Sequence, residues 1–336
     1  MGLATQNETS SEALVELSNR QREHETRDGG RCLLCGGGLQ QSVTGLFDTR
    51  FGIDGIYGGA LCHQCGLEQI TPVPTARELK NLYESHYNFG GEKGTLYTNL
   101  RERFLSSALY RLWIRLDGDI SFHGRVGGGR LLDIGCNEGR RLKIYAHNGF
   151  QAEGLELNET AADVARRAGF TVHKCDLSDF NPAAPYDVVV LSNVLEHSLH
   201  PKQMLLDVGR LLKSGGQVWI SCPNNRSWLR KTFGSFWINW HVPFHISHFS
   251  AETLQRLLTQ TGFTAVETAQ ITPALWVSSS VIARLFAKKG RPTRELRNPI
   301  LMLSLLMVSR LFFFPALWFG NRRSRGDCLL VLAAKS

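Results

Sequence analysis

The chain has 336 residues, with 38 lysine and arginine side chains against 30 acidic ones, and its formal net charge is +8. Hydrophobic residues make up 43% and charged residues 20%, which excludes a mostly disordered chain and supplies a sizeable core. The basic excess suits an anionic partner, such as nucleic acid, a membrane surface or an acidic substrate. Its distribution along the chain has to decide between these partners.

The first 28 residues are polar and lack the apolar segment of a secretory signal, so we interpret them as a flexible leader. We therefore expect a cytoplasmic, reducing environment, in which paired cysteines are more often metal ligands than disulfides. Residues 29–75 are rich in glycine and contain two such cysteine pairs. Residues 76–129 are predicted to form a helical connector.

Two C-x-x-C pairs, Cys32 with Cys35 and Cys62 with Cys65, are separated by 26 residues. Two turns that each present two thiolates form a tetrahedral Zn²⁺ site, and four protein ligands leave no open position for catalysis. The sequence therefore predicts a structural zinc ion, which small loops without a core of their own often require. Four ordinary thiols, or a redox pair, are the alternatives.

From Arg130 onward, strand-like and helix-like segments alternate, which predicts an α/β fold with a parallel sheet covered by helices on both faces. The strand-like segments are Leu131–Ile134, Ala152–Leu157, Val172–Lys174, Tyr186–Leu191, Val218–Ser221, Phe263–Ile271 and Cys328–Ala333. We assign residues 130–271 and 327–336 to this core, and residues 272–326 to an insertion between its last two strands.

The segment Leu131–Gly139 is an apolar strand that ends in an acid and is followed by a glycine turn. Gly135 and Gly139 allow the backbone to approach a ligand closely, and the next helix presents free N–H groups to it. Glu156 lies at the end of the second strand, where an acid can accept hydrogen bonds from a ribose diol, and Asp176 ends the third strand, where it can meet an adenine amino group. These intervals predict a ligand that contains adenosine, bound at the carboxyl ends of the strands.

The glycine spacing differs from the G-x-G-x-x-G pattern of dinucleotide binders. It resembles the first motif of class I S-adenosylmethionine-dependent methyltransferases, and the resemblance continues in Gly154–Leu157, Tyr186–His197 and Leu212–Ile220. It implies a doubly wound, Rossmann-like sheet of seven strands in the order 3-2-1-4-5-7-6, with the seventh strand antiparallel. The run Asn193–His197 looks most like small-molecule methyltransferases of the ubiquinone-biosynthesis type.

The resemblance also implies roles for individual residues. Asp133 would order the loop, Glu156 would hold the ribose, and Asn193 would lie beside the reacting sulfonium. The remaining residues would line the methionine part or flank the ribose and adenine, namely Gly135, Cys136, Asn137, Gly139, Leu157, Asp176 and Leu177.

Asn137 stands where the family commonly has a glycine. Asparagine is among the residues that best tolerate a positive φ, so we expect the turn to form. A degenerate domain that binds the cofactor without catalysis is the alternative that this departure leaves open.

Methyl transfer needs in-line alignment and, for some acceptors, a base. His197 follows the fourth strand, and His245 lies in Asn224–Phe249, an aromatic segment that we interpret as a lid over the acceptor pocket. We predict both histidines as candidate bases. A helix cap or a backbone hydrogen bond is the alternative for His197, and metal binding by His241, His245 and His248 is the alternative in the lid.

Pro299–Phe319 contains 16 apolar residues among 21, which is long enough for a membrane span. Arg310 in its middle and the return of the last strand to the sheet argue against a single crossing. From Arg284 to Arg325 there are ten basic residues and one acid, a net charge of +9, so the rest of the chain carries −1. This pattern predicts peripheral association with an anionic membrane surface, with a buried subdomain or a dimer interface as alternatives.

These observations predict an enzyme that transfers a methyl group from S-adenosylmethionine to a small-molecule, sugar or lipid-linked acceptor. The joint presence of the cysteine module and this core resembles bacterial methyltransferases of sugars and envelope metabolites. A zinc module that binds nucleic acid is the second interpretation. Three acidic residues against two basic ones between Arg31 and Glu68 argue against it, and we expect no nucleic-acid partner.

Overall fold

The computed structural model describes residues 30–87, 103–104 and 107–336. The predicted leader at residues 1–28 and the middle of the predicted helical connector lie outside the described residues. The described chain forms two sheets, one of seven strands and one of four, and the two share an apolar core.

The smaller sheet contains the first three strands of the chain and one later strand. In chain order, the strands of both sheets have the following bounds. They are β1 (Leu39–Leu46), β2 (Tyr57–Cys62), β3 (Glu68–Thr71), β4 (Arg130–Ile134), β5 (Gln151–Leu155), β6 (Val172–His173), β7 (Tyr186–Ser192), β8 (Leu212–Pro223), β9 (Ser247–His248), β10 (Phe263–Ile271) and β11 (Cys328–Lys335).

The helices lie before, between and after these strands. They are α1 (Ala76–His86), α2 (Ala108–Asp117), α3 (Arg140–His147), α4 (Glu159–Arg167), α5 (Pro201–Leu211), α6 (Trp228–Phe233), α7 (Ala251–Gln260), α8 (Ala274–Phe286), α9 (Pro299–Phe312) and α10 (Phe314–Arg322). Short 3₁₀ turns span Leu195–His197, Gly234–Phe236, Ile238–Trp240 and Arg294–Arg297.

The seven-stranded sheet has the order β10-β11-β8-β7-β4-β5-β6. Strands β6, β5, β4, β7 and β8 run parallel, and β11 is antiparallel to both of its neighbours. Counted within the core alone, this is the order 3-2-1-4-5-7-6 with an antiparallel seventh strand. The predicted Rossmann-like fold is confirmed.

Alternation along the strands gives the sheet two buried faces. On one face, Leu132 and Val189 pack with Leu205 of α5 and Leu257 of α7. On the other face, Leu131 of β4 belongs to a second cluster, which also contains Val190, Tyr145 of α3 and Trp219. Helices therefore cover both sides, and the carboxyl ends of the strands remain available for a site.

The smaller sheet has the order β1-β2-β3-β9 and carries the cysteine module. β9 comes from the segment after β8, and it pairs antiparallel with β3 through Glu68 opposite His248 and Gln69 opposite Ser247. The N–H of Ile70 also donates to the carbonyl of Ile246, at 3.0 Å. The segment that we predicted as a lid is therefore an integral part of the fold.

A buried carboxylate holds the same segment to the start of β11. Asp327 accepts hydrogen bonds from the Ser227 hydroxyl, from Nε1 of Trp237 at 2.8 Å and from Nδ2 of Asn239 at 3.1 Å. Burial raises the pKa of Asp327 to about 6, although these donors lower it. Three neutral donors thus replace the water that this carboxylate loses.

In the insertion, α8 is mostly buried, while α9 and α10 follow each other with a bend of 70°. Among the described residues, no single helix is long and apolar enough to cross a membrane, although this bent pair meets the length and composition criteria. Arg310 of α9 forms an ion pair with Asp117 of α2 and donates to the carbonyl of Thr272, at 3.3 Å. Its charge therefore faces the protein, and this contact sets the rotation of α9.

Replacing Arg310 with leucine should lower the free energy of unfolding by about 3 kcal/mol, because Asp117 would keep a buried carboxylate without its cation. Urea denaturation at equilibrium measures this change. The control is Glu267→Gln, which removes an exposed ion pair with Arg125 and should cost less than about 1 kcal/mol. Equal, small changes in both variants would show that the buried pair does not stabilise the insertion.

Candidate active site

Four parallel strands of the larger sheet end at one edge, and a predicted site residue follows each of them. Gly135 follows β4, Glu156 follows β5, Asp176 comes three residues after β6, and Asn193 follows β7. Because parallel strands share the direction of their carboxyl ends, the fold gathers these residues at one edge.

The turn after β4 has alternating residues at positive φ, namely Gly135 at 67°, Asn137 at 51° and Gly139 at 76°. Asn137 holds this conformation with two hydrogen bonds: its Nδ2 donates to the Gly135 carbonyl at 3.0 Å, and its N–H donates to Glu156 Oε2 at 2.9 Å. At Gly139, a Cβ would lie 2.7 Å from the Cβ of Ala165, so glycine is required there.

Asp133 is fully buried at the end of β4 and pairs with Arg141, whose Nε lies 2.9 Å from Asp133 Oδ2. Arg141 Nη2 also donates to the carbonyl of Gly135, at 2.6 Å. The carboxylate therefore orders the turn through an arginine that sequence reasoning missed. The available signal was a cation in the first turn of the helix that follows a buried acid.

Glu156 accepts two backbone hydrogen bonds, from Asn137 on Oε2 and from Asn158 on Oε1, at 2.9 and 2.8 Å. A carboxylate has about four acceptor sites, so both oxygens keep capacity for a ligand diol. Beside it, Leu157 and Asp176 are exposed and Leu177 is half-buried.

Cys136 is buried, and its side chain points into the protein rather than towards the strand ends. Its Sγ would lie 2.3 Å from a Cβ at Gly154, so the two positions are packed against each other. Burial raises the pKa of the Cys136 thiol. The thiol is therefore inert, and only the backbone of Cys136 remains available at the turn.

Asn193 follows β7 with a φ of 53°, and its N–H donates to the carbonyl of Ser221 at 2.9 Å. Its buried side-chain oxygen, Oδ1, has no hydrogen-bond partner among the described residues. Such an orphaned acceptor at the strand ends is available to a bound ligand.

The four cysteines of the N-terminal module lie together. The Sγ atoms of Cys32 and Cys65 are 3.4 Å apart, those of Cys35 and Cys62 are 3.5 Å apart, and all four lie within 4.8 Å of one another. Zn–S bonds of about 2.3 Å in a tetrahedron give Sγ separations of about 3.8 Å, so the set has the dimensions of a metal centre. Each pair forms a matching turn, in which the glycine after the second cysteine donates to the carbonyl of the first.

His197 and His245, which come from different parts of the sequence, lie with their ring centroids 4.6 Å apart. Nδ1 of His197 is 3.0 Å from the carbonyl oxygen of Phe244 and 2.8 Å from the hydroxyl of Tyr83. Desolvation lowers the pKa of His197 to about 4, and that of His245 also falls well below its usual value. Both rings are therefore neutral at pH 7.

Glu196, which sequence reasoning missed, completes this cluster. Its carboxylate is buried, one oxygen lies 3.9 Å from Nε2 of His245, and neither oxygen accepts a hydrogen bond from another described residue. Desolvation raises the pKa of Glu196 to about 8. The signal in the sequence was its position beside His197, in the turn that follows the largely apolar strand β7.

Aromatic rings surround the histidine cluster. Tyr83 and Tyr87 of the α1 end contact Phe244, and the Tyr87 hydroxyl lies 3.3 Å from Nε2 of His241. His248 lies farther away, with its ring centroid 6.4 Å from that of His245. The two predicted bases therefore lie together, and His248 of the lid segment lies outside their cluster.

A family model described as Methyltransferase domain matches residues 92–268, which is more than half of the chain. The chain belongs to this methyltransferase family, and the resemblance predicted from its first motif is confirmed.

Several relatives in the comparison are ubiquinone biosynthesis O-methyltransferases. That of Sodalis glossinidius is 30% identical over 140 residues, which is 39% of this chain and 56% of the relative. That of Aromatoleum aromaticum is 29% identical over 172 residues, which is 47% of this chain and 72% of the relative. The chain thus spans little more than half the length of the first of these relatives.

Solved structures give more distant similarities. An S-adenosylmethionine-dependent methyltransferase from Mesorhizobium loti has a TM-score of 0.42 at 20% identity, covering 66% of this chain and all of the other. The 1,6-didemethyltoxoflavin-N1-methyltransferase of Burkholderia thailandensis has a TM-score of 0.43 at 16% identity, covering 82% and 96%.

Proposed function

We propose that this protein transfers a methyl group from S-adenosylmethionine to a small-molecule, sugar or lipid-linked acceptor. The observation that carries the proposal is one edge of the sheet, where the glycine turn, Glu156 and Asn193 lie near a cluster of two histidines and a carboxylate. The family match supports the reaction class, and the similarity to ubiquinone biosynthesis O-methyltransferases supports a small acceptor with a hydroxyl group.

The hydrogen-bonding groups of the residues at the strand ends suit S-adenosylmethionine. Glu156 would hold the ribose diol, the exposed Asp176 and half-buried Leu177 would flank the adenine, and the backbone of Gly135–Gly139 would line the methionine part. The orphaned Oδ1 of Asn193 would face the sulfonium region. When bound, the cofactor supplies an electrophilic methyl group on a positively charged sulfur.

We assign the acceptor side to His197 and His245. Both rings are neutral at pH 7, so each has a nitrogen lone pair that is able to take a proton from the acceptor. A pKa of about 4 makes His197 a weak base, because a general base works best when its pKa is near the operating pH. The aromatic rings of Tyr83, Tyr87 and Phe244 would pack against the acceptor and exclude water.

Glu156→Gln should weaken binding of S-adenosylmethionine at least tenfold, because a neutral amide replaces one carboxylate oxygen with a donor that cannot accept from the diol. Isothermal titration calorimetry measures binding. Transfer of labelled methyl groups into polar and lipid extracts then measures turnover, with Glu267→Gln as a surface control. Unchanged affinity in Glu156→Gln would contradict this cofactor site. Binding by the wild type without transfer into any extract would favour the inactive scaffold.

We further propose that the four cysteines hold a structural zinc ion. The matched turns and the Sγ separations support this assignment, and four thiolates leave no open coordination position. The role would be to fix β3, since the module contributes only a few residues to the shared core.

Elemental analysis of the purified full chain should find at least one zinc ion per chain, and Cys35→Ser should lower the zinc content by about one ion per chain. Loss of the ion should also lower the melting temperature of the chain, because the loops of the module would lose their cross-link. Cys175→Ser, which lies outside the module, is the control and should keep the zinc. Equal zinc content in both variants would refute the assignment.

The insertion supports a proposal of peripheral binding to an anionic membrane surface. Arg310 fixes α9 so that Ile300, Leu303, Leu311 and Phe312 are exposed by 62–77%. On α10, Arg322 and Arg323 stack over exposed aromatic rings, as cations do at a lipid headgroup layer. The net charge of +9 between Arg284 and Arg325 complements an anionic surface.

Leu311→Glu should reduce binding to vesicles at least tenfold, because a carboxylate would enter the apolar layer next to anionic headgroups. Co-sedimentation with vesicles of phosphatidylglycerol, compared with phosphatidylcholine alone, measures this effect at low salt. Val126→Glu changes another exposed apolar residue outside the insertion and should bind like the wild type. Failure of the wild type to sediment with anionic vesicles would rule out the membrane proposal.

A further inference from the structure

We propose that Glu196, His197 and His245 form a second metal site, which binds a divalent transition-metal ion through one carboxylate and two imidazoles. The site is separate from the four cysteines, and it deepens the proposed function because it lies where we place the acceptor. Its ligands come from the 3₁₀ turn after β7 and from the segment that β9 anchors.

The three residues have the dimensions of a metal site. One carboxylate oxygen of Glu196 and one ring nitrogen from each histidine all lie within 4.8 Å of one another. The N–H of Ile246 donates to the carbonyl of Glu196 at 2.8 Å, so the backbone joins the two ligand-bearing segments directly. The cluster is therefore held by the fold rather than by flexible side chains on separate loops.

Backbone carbonyls orient both imidazoles for metal binding. Nδ1 of His197 lies 3.0 Å from the Phe244 carbonyl, and Nδ1 of His245 lies 2.8 Å from the Asn239 carbonyl. A carbonyl oxygen only accepts, so Nδ1 carries the proton in each ring and Nε2 keeps its lone pair. At His197, the Tyr83 hydroxyl oxygen lies 2.8 Å from the same Nδ1 and accepts a share of that proton. Histidine ligands of metal ions usually have this outer hydrogen bond, which fixes the tautomer and orients the ring.

In the described part of the chain, no other residue supplies Glu196 with a donor that would account for its burial. Only 1% of it is exposed, and neither carboxylate oxygen accepts a hydrogen bond from another described residue. Nε2 of His245 lies 3.9 Å from one carboxyl oxygen, which is beyond hydrogen-bond distance, and it has no proton to donate in this tautomer. An ionised, unpaired carboxylate at this depth would cost roughly several kcal/mol, so the side chain is held mostly as the neutral acid at pH 7. A cation bound between it and two lone pairs would displace that proton and stabilise the ionised form.

The donor set selects the class of metal. Two imidazoles and a carboxylate suit Mn²⁺, Fe²⁺, Co²⁺ or Zn²⁺, and three protein ligands leave coordination positions open. An acceptor hydroxyl bound at an open position would have a lowered pKa and would release its proton to solvent water, and this step rests on the proposed methyl transfer. With the ion bound, the two histidines would act as ligands in place of the base role proposed for them above.

The probe is Mn²⁺ alone, added to the purified full chain without S-adenosylmethionine. Mn²⁺ prefers oxygen and nitrogen ligands to thiolates, so the four cysteines contribute little to its binding. Loss of the electron paramagnetic resonance signal of free Mn²⁺ gives the stoichiometry and the dissociation constant. We expect one ion per chain, with spin-echo modulations from histidine nitrogens in the wild type.

Glu196→Gln and His245→Ala should each weaken Mn²⁺ binding at least tenfold. His248→Ala is the matched control, because His248 is a buried histidine of the same segment that lies outside the trio. It should bind Mn²⁺ like the wild type. Thermal melts with and without Mn²⁺ add a second measurement: the ion should raise the melting temperature of the wild type and of His248→Ala, but not that of Glu196→Gln.

Absence of Mn²⁺ binding by the wild type, or equal binding by Glu196→Gln, would overturn the proposal. The spin-echo measurement needs only the wild type, so the proposal stays testable if a variant fails to fold: modulations without histidine nitrogens would also overturn it. Calorimetry with S-adenosylmethionine separates the two hypotheses. A chain that binds Mn²⁺ but does not bind S-adenosylmethionine contradicts the proposed function alone. A chain that binds S-adenosylmethionine but does not bind Mn²⁺ contradicts the metal site alone.

Discussion

The pairing of β3 with β9 is the constraint on which the rest of the site depends. It joins the cysteine module to the segment that carries His245, and the buried ion pair between Glu68 and Arg230 supports the same junction at 2.7 Å. Ile246, just before β9, donates in turn to Glu196. The cysteine module therefore positions an edge strand, and that strand positions two groups of the histidine cluster. The zinc ion proposed for the four cysteines would thus influence the histidine cluster through backbone pairing.

Among the buried carboxylates of the described residues that are discussed above, Glu196 differs from the others because no other residue donates a hydrogen bond to it. Asp133, Asp117 and Glu68 each pair with an arginine, and Asp327 accepts from three neutral donors. These four have a structural explanation, since each fixes a turn, a helix or a segment. In the described part of the chain, Glu196 has neither kind of partner on either oxygen. An exception of this sort marks a functional group rather than a packing defect, because its burial otherwise only destabilises the fold.

Sequence reasoning was most successful where the signal is local. Buried parallel strands are short apolar runs bounded by turns, so the segment Tyr186–Leu191 was predicted within one residue of β7. The start of β8 was missed, because its polar first residues, Lys213 to Gly216, carry no apolar signal. The two-residue strand β9 was missed for another reason: its existence depends on pairing with β3, about 180 residues earlier. Glu196 was overlooked because its isolation is a property of the folded neighbourhood, which the flanking residues do not reveal.

The basic insertion contacts the segment that carries His245 through helix α8. The Ser280 hydroxyl of α8 accepts from the N–H of Ile238 at 3.1 Å, and Val277 packs in one cluster with Trp237 and Trp240. The segment that carries His245 is therefore held by β3 on one side and by the insertion on another. Since the insertion also contains the net charge of +9, the anionic surface proposed above would contact an element that packs directly against the segment carrying His245. The basic residues and the apolar helices therefore belong to an element that supports the proposed acceptor side, and they are not an independent appendage.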